Sequence, residues 1–193
     1  MFKTIVVLVA AAMFVAGCAP TSGLITAATA PAVGTKVQDF EYTSITGRQA
    51  TFSQVRYPVA ILAFTSPPGN ACCWLDPKVV SLANQMWNLP VTVAEISLPT
   101  EKCSHGPGCS EGCRLHAGLM SLCDTSKVVW NAYGRPKLGT VILIDQDNNV
   151  VQTATLDDLN SLLAKAQQLG KVAAQSRPGG TSAAEARREI YAE

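Results

Sequence analysis

Apolar residues along this chain fall into continuous runs interleaved with stripes of helical spacing. Pro58–Phe64, PVAILAF, contains no polar position, which predicts a strand covered on both faces. Val91–Leu98, VTVAEISL, alternates in part and predicts the next strand. Between them, from about Cys72 to Met86, the spacing changes. Val79, Val80, Leu82, Ala83 and Met86 share one broad face, which predicts a helix. Gly139–Asp145, GTVILID, predicts a second buried strand; QDNN turns, and VVQTATL returns beside it as a hairpin. LDDLNSLLAKAQQL, Leu156–Leu169, predicts an amphipathic helix. Shorter signals predict strands at Phe40–Thr43 and Gln49–Phe52 around a turn at Gly47, and a brief strand at Ser121–Asp124. They also predict a short helix over Cys113–Leu119 and another over Ser126–Ala132, capped by Asp124 or Thr125. No internal repeat is present. Crossover helices between apolar strands predict an α/β domain, with a mixed central sheet and helices on both faces.

The ends follow a different pattern. Lys3 precedes the almost wholly apolar Thr4–Ala16. That stretch is short of the ~20 residues a membrane span needs and reads as a signal peptide over residues 1–17. Val15-Ala16-Gly17-Cys18 resembles a bacterial lipobox. The resemblance implies cleavage before Cys18, lipidation of its thiol (the palmitate class of modification) and a membrane partner reached through that anchor. Ala19, where no aspartate stands, points to the outer membrane of the bacterial cell envelope, facing the periplasm. Residues 18–34 read as a flexible tether. Residues 35–170 read as one domain of ordinary size, and 171–193 as a disordered or loosely helical tail.

The 193-residue chain has 15 Lys and Arg against 14 Asp and Glu, and loss of Lys3 leaves the mature chain neutral. This balance does not point to nucleic acid. Seven cysteines are present. Export would place the six after Cys18 in an oxidising compartment, where disulfides are the default; six thiols allow ~15 full pairings.

The layout resembles the thioredoxin-like superfamily, in its redoxin, peroxiredoxin and copper-chaperone-like branches. Asp39-Phe40 followed by Gly47 resembles the entry segment of redoxins. PVAILAFTS resembles their central strand leading into the active-site loop, CDTSKVVWNAYG the segment before the second half, and GTVILIDQDNNVV their closing hairpin. The resemblance implies a three-layer thioredoxin-like sandwich. It also implies a reactive cysteine near the start of the helix after the central strand, the zone of Cys72 and Cys73. A helix start carries partial positive charge and unpaired N–H groups, which stabilise a thiolate. No C-x-x-C is present. Gly69 and Asn70 stand where a peroxiredoxin threonine would precede Cys72 or Cys73 by three residues, and near Gly139, just before Thr140, the thioredoxin cis-proline is missing, with Pro136 offset from that position.

Cys103, Cys109, Cys113 and Cys123 are spaced C-x5-C-x3-C-x9-C in a Gly-rich stretch with His105 and His116. Three chemistries fit these residue types. In the first, the cysteines are structural disulfides of a non-catalytic binding domain, clamping a segment too poor in apolar residues to order itself. In the second, Cys72 or Cys73 is the nucleophile of thiol–disulfide exchange with a protein thiol or disulfide partner, and one of the four later cysteines resolves the mixed disulfide. In the third, Cys103, His105, Cys109 and Cys113 hold a soft metal such as Cu(I), although the spacing matches no zinc ribbon or ferredoxin pattern. The exchange reading needs no cofactor. Arg135, Trp74 and the Asp76-Pro77 pair are read as surface, packing and helix-start residues.

Overall fold

A computed structural model describes residues 29–43, 49–67, 75–98, 119–124 and 126–176. Its elements, in chain order, are β1 (Glu41–Thr43), β2 (Gln49–Thr51), α1 (Phe52–Val55), β3 (Val59–Thr65), α2 (Pro77–Gln85), β4 (Val91–Ser97), β5 (Leu119–Cys123), α3 (Val128–Ala132), β6 (Thr140–Ile144), β7 (Val150–Thr155) and α4 (Asn160–Gln175). A five-stranded sheet runs β5-β4-β3-β6-β7, and β1 and β2 form a separate antiparallel pair. β3 is parallel to β4 and β4 to β5, whereas β6 is antiparallel to both β3 and β7. The carboxyl ends of β3, β4 and β5 therefore lie on one rim of the sheet.

All seven residues of β3 are buried, as its apolar run predicts. β4 differs from its partial alternation, because all seven of its positions are buried as well. The reason is that helices cover both faces. On one side Val79, Leu82 and Met86 of the α2 region and Leu162 and Ala166 of α4 pack on Ile61, Ala63, Val93, Val141 and Leu143. On the other side Val129 and Tyr133, with Phe40 and Phe52, cover Leu62, Phe64, Ile96 and Ile142. Phe40 and Phe52 stack with ring centroids 4.6 Å apart.

Several boundaries move for identifiable reasons. The second short strand stops at Thr51, because Phe52–Val55 turns into α1, in which Gln54 reaches back to the Thr51 N–H. α2 is described from Pro77, with the Asp76 carboxylate accepting from Lys78 N–H at its start; residues 72–74 lie outside the described set. Leu119 belongs to β5 rather than to a helix. The last helix begins at Asn160 and continues to Gln175. Leu156 precedes it in a turn, its N–H bonded to the Gly139 carbonyl, and Asp158 N–H bonds to Thr155.

Arg56 rivets the rim opposite the carboxyl ends of β3–β5. Its guanidinium donates to the carbonyls of Tyr57 and Pro58 at 2.8 and 2.7 Å, to those of Asp145 and Gln146 at 2.9 and 3.3 Å, and to the Asn148 side chain at 2.8 Å. Burial lowers its pKa from the usual arginine value, while Asp39, Tyr133, Asp145 and Asp147 oppose that shift.

Candidate functional site

Strand register builds a polar row at the rim where β3, β4 and β5 end. Thr65 pairs with Ser97, and Ser97 with Cys123. Ser121 faces Glu95 one step back. Because side chains alternate along a strand, Thr65, Glu95, Ser97, Ser121 and Cys123 project to the same face, the one covered by α2. Each strand thus switches from apolar to polar as it reaches the rim: Ile61 and Ala63 lead to Thr65, Val91 and Val93 to Glu95 and Ser97, and Leu119 to Ser121 and Cys123.

Glu95 is the centre of this row. It is fully buried. Its Oε1 accepts from the Thr65 hydroxyl at 2.6 Å, and both carboxyl oxygens lie within 3.2–3.3 Å of the Asp76 N–H. The carboxyl thereby joins the end of the central strand to the residue that opens α2. Burial raises its pKa above the ordinary carboxylate value, and the nearby Asp76 charge adds to the rise. The hydrogen bonds from Thr65 and Asp76 oppose it. Ser97 is also buried, and its Oγ has no hydrogen-bond partner among the described residues.

The neighbouring loop is fixed from both ends. Asp124 follows β5, is buried, and accepts from Val128 N–H at 2.9 Å and Trp130 N–H at 2.8 Å. It does what was expected of a cap from a position further back. The residue at the helix start is Lys127, whose left-handed backbone, φ 58°, reverses the chain. Gly139 N–H then bonds to the Phe64 carbonyl at 2.7 Å, tying the far end of the loop to β3.

Of the residues predicted to carry chemistry, Cys123 falls within the described set, half-buried at the end of β5. Cys18, Cys72, Cys73, Cys103, His105, Cys109, Cys113 and His116 lie outside it. Cys73 stands two residues before Leu75, where the described chain resumes, next to Asp76 and Glu95. Glu95 and Asp124 were not foreseen as site residues. A carboxylate inside an otherwise apolar strand is the sequence signal for Glu95. Its meaning depends on knowing that both faces of β4 are covered.

No family model matches the sequence, and no curated protein does. Solved structures do. The thioredoxin domain of a thiol-disulfide oxidoreductase from Bacteroides vulgatus is 16% identical and aligns over 70% of this chain and 97% of its own, with a TM-score of 0.51. A protein assigned as a protein disulfide isomerase, from Bacteroides thetaiotaomicron, is 19% identical over 72% of this chain and 91% of its own, TM-score 0.52. One assigned as a thioredoxin, from Neisseria meningitidis, is 18% identical over 75% and 99%, TM-score 0.52. Together with the strand order and the helices on both faces, these likenesses establish that the chain has the thioredoxin-like fold.

Proposed function

We propose that this chain carries out thiol–disulfide exchange at the rim where β3, β4 and the start of α2 meet. The nucleophile is Cys72 or Cys73, and one of Cys103, Cys109, Cys113 and Cys123 is the resolving thiol. The observation that carries the reading is the buried Glu95 carboxyl joined to the first residues of α2. Cys73 stands two residues before Leu75 in the sequence and three before Asp76, whose N–H meets that carboxyl. A carboxyl held above its ordinary range is a better proton store for a titrating thiol than a solvated glutamate.

In the exchange, the thiolate attacks one sulfur of a partner disulfide. A mixed disulfide forms, and the partner's other sulfur leaves as thiolate and takes a proton. The resolving thiolate then attacks the mixed disulfide at the chain's own sulfur. The partner is reduced to a dithiol, and the chain's cysteine pair is oxidised to a disulfide. The same steps run backwards when the partner has the lower potential. The lipobox-like Val15–Cys18 supports a lipid anchor at Cys18, which would hold this chemistry at the bacterial envelope. No helix among the described residues is long and apolar enough to cross a membrane.

The test is single replacement, Cys72→Ser and Cys73→Ser, in an insulin- or glutathione-disulfide reduction assay. One variant is expected to lose activity entirely. Full activity in both would remove the catalytic role and leave the cysteines as crosslinks. A mass-spectrometric map of cysteine pairs, before and after mild reductant, identifies the resolving partner as the one easily reduced pair.

A further inference from the structure

The loop between β5 and β6 carries a surface that the exchange chemistry does not use. Trp130 is flanked by two cations, with Lys127 Nζ 5.6 Å and the Arg135 guanidinium 5.9 Å from its ring centroid. Its indole N–H is held by the Pro136 carbonyl at 2.8 Å. Arg135 is further fixed by the Asn131 side chain at 2.9 Å. Lys137 is exposed beside them. Two large apolar side chains stand in solvent on the same loop, Val128 at 62% and Leu138 at 54% exposure. Among the described residues, none of the three cations pairs with a carboxylate. Asp124, on the same segment, is buried and spent on two backbone N–H groups.

The first described residue, Thr29, lies against the same loop. The Thr29 carbonyl oxygen lies 2.8 Å from the position a Cβ would take on Gly134, the residue before Arg135. Ten residues, and so eleven peptide units, separate Thr29 from Cys18, a reach of at most about 36 Å. A lipid on Cys18 would therefore leave this loop within reach of the bilayer, and the loop's composition suits that position. Tryptophan, lysine and arginine, with aliphatic side chains among them, are the residues that settle at a membrane–water interface.

We propose that the Lys127–Leu138 loop is a docking face for an anionic phospholipid surface. Lys127, Arg135 and Lys137 attract the headgroups, Val128 and Leu138 enter the interface, and Trp130, half-buried against the core, sits among the cations where it reports the contact. The proposal rests on the lipid-anchor reading of Cys18, and it adds a second contact that orients the domain. Electrostatic attraction to anionic lipid is worth on the order of 1 kcal/mol per cation, which for three cations is roughly a hundredfold in partitioning.

The test uses the full chain with Trp130 as its only tryptophan, Trp74→Phe and Trp87→Phe. The protein is mixed with vesicles of brominated phosphatidylcholine, with or without phosphatidylglycerol. Trp130 emission is expected to shift blue and to be quenched in the phosphatidylglycerol vesicles alone, and high salt should reverse both effects. Lys127→Asn, Arg135→Asn and Lys137→Gln together should return the signal to that of zwitterionic vesicles. Asparagine suits the two left-handed positions. Should that triple variant unfold, Val128→Ser with Leu138→Ser, which keeps every cation, should weaken the quenching. Equal emission in both vesicle types, or quenching that survives neutralisation, overturns the proposal. A response to poly-glutamate but not to vesicles also overturns it, in favour of an acidic polypeptide. The intact mass of the purified chain reads lipidation at Cys18 separately, and an unlipidated chain added to the same vesicles gives the same comparison.

Discussion

Glu95 is where burial and charge conflict most sharply in this molecule. Its folded pKa is raised above the unfolded value, so the native state binds more protons between the two. Stability is greatest below the unfolded carboxylate pKa, falls as pH rises through the window up to the folded value, and stays reduced above it. Glu95→Gln keeps an acceptor for Thr65 and Asp76 and removes the charge. It is expected to stabilise the protein at pH 8 and to leave it nearly unchanged at pH 4, as read by urea unfolding at the two pH values. A variant less stable at pH 8 would show that the ionised carboxyl is the stabilising form. If the carboxyl also serves the thiol, the same substitution flattens the pH profile of exchange without abolishing it. Asp124 is a simpler case. Asp124→Ala strips the acceptor from Val128 and Trp130 N–H and should cost about 2 kcal/mol, seen as a lower urea midpoint. The sequence offers Asp124 as one of two caps and Glu95 as a polar position in a strand, and neither as part of a site. A lone Glu in VTVAEIS has the look of one solvated position on a half-exposed strand. Asp124 and Thr125 are equal cap candidates in the sequence, and the structure shows Asp124 in that part.

At the scale of elements, the long signals were legible and the short ones shifted. PVAILAF and GTVILID became β3 and β6, because a strand buried on both faces needs an unbroken apolar run, and such runs leave few alternatives. α1 was not foreseen, since four residues carry no periodicity. The start of α4 moved because Leu156 is used in a turn that bonds to Gly139 rather than on a helical face. Its interior holds a position that propensity alone misjudges. A Cβ on Gly170 would lie 2.8 Å from Val91 Cγ2 and 3.3 Å from Leu89 Cβ. Alanine gains roughly 1 kcal/mol in helix propensity, yet the stiff, fully buried Val91 at the start of β4 cannot swing away. Gly170→Ala is therefore expected to destabilise, by about 1 kcal/mol net, in thermal or urea unfolding. A rise in midpoint would mean that α4 slides without cost. The rim itself was only half legible. The cysteines are plain in the sequence, but the row of Thr65, Glu95, Ser97 and Cys123 exists only once three strands are set in register.

Over the whole molecule, the two ends of the sheet are built differently. One rim holds the polar row and the loops. The other is tied by a single buried guanidinium that joins the start of β3 to the β6–β7 turn. Arg56→Met leaves several carbonyls without a donor and should cost about 3 kcal/mol. Amide exchange is expected to quicken first around Asp145–Asn148, with the rim near Glu95 following only on global unfolding. Uniform quickening would show that the rivet is not local.

The antiparallel seam between β3 and β6 has a consequence for synthesis. β3 is apolar along its whole length and sits in the middle of the finished sheet, yet the strand that closes its second side is made long after it. While the nascent chain lacks Thr140–Ile144, β3 offers an open ladder edge of the kind that templates aggregation. Polypeptides ending before Thr140 should therefore clump, whereas those reaching Gln175 should stay dispersed, because the β6–β7 hairpin then closes the edge and α4 covers the face.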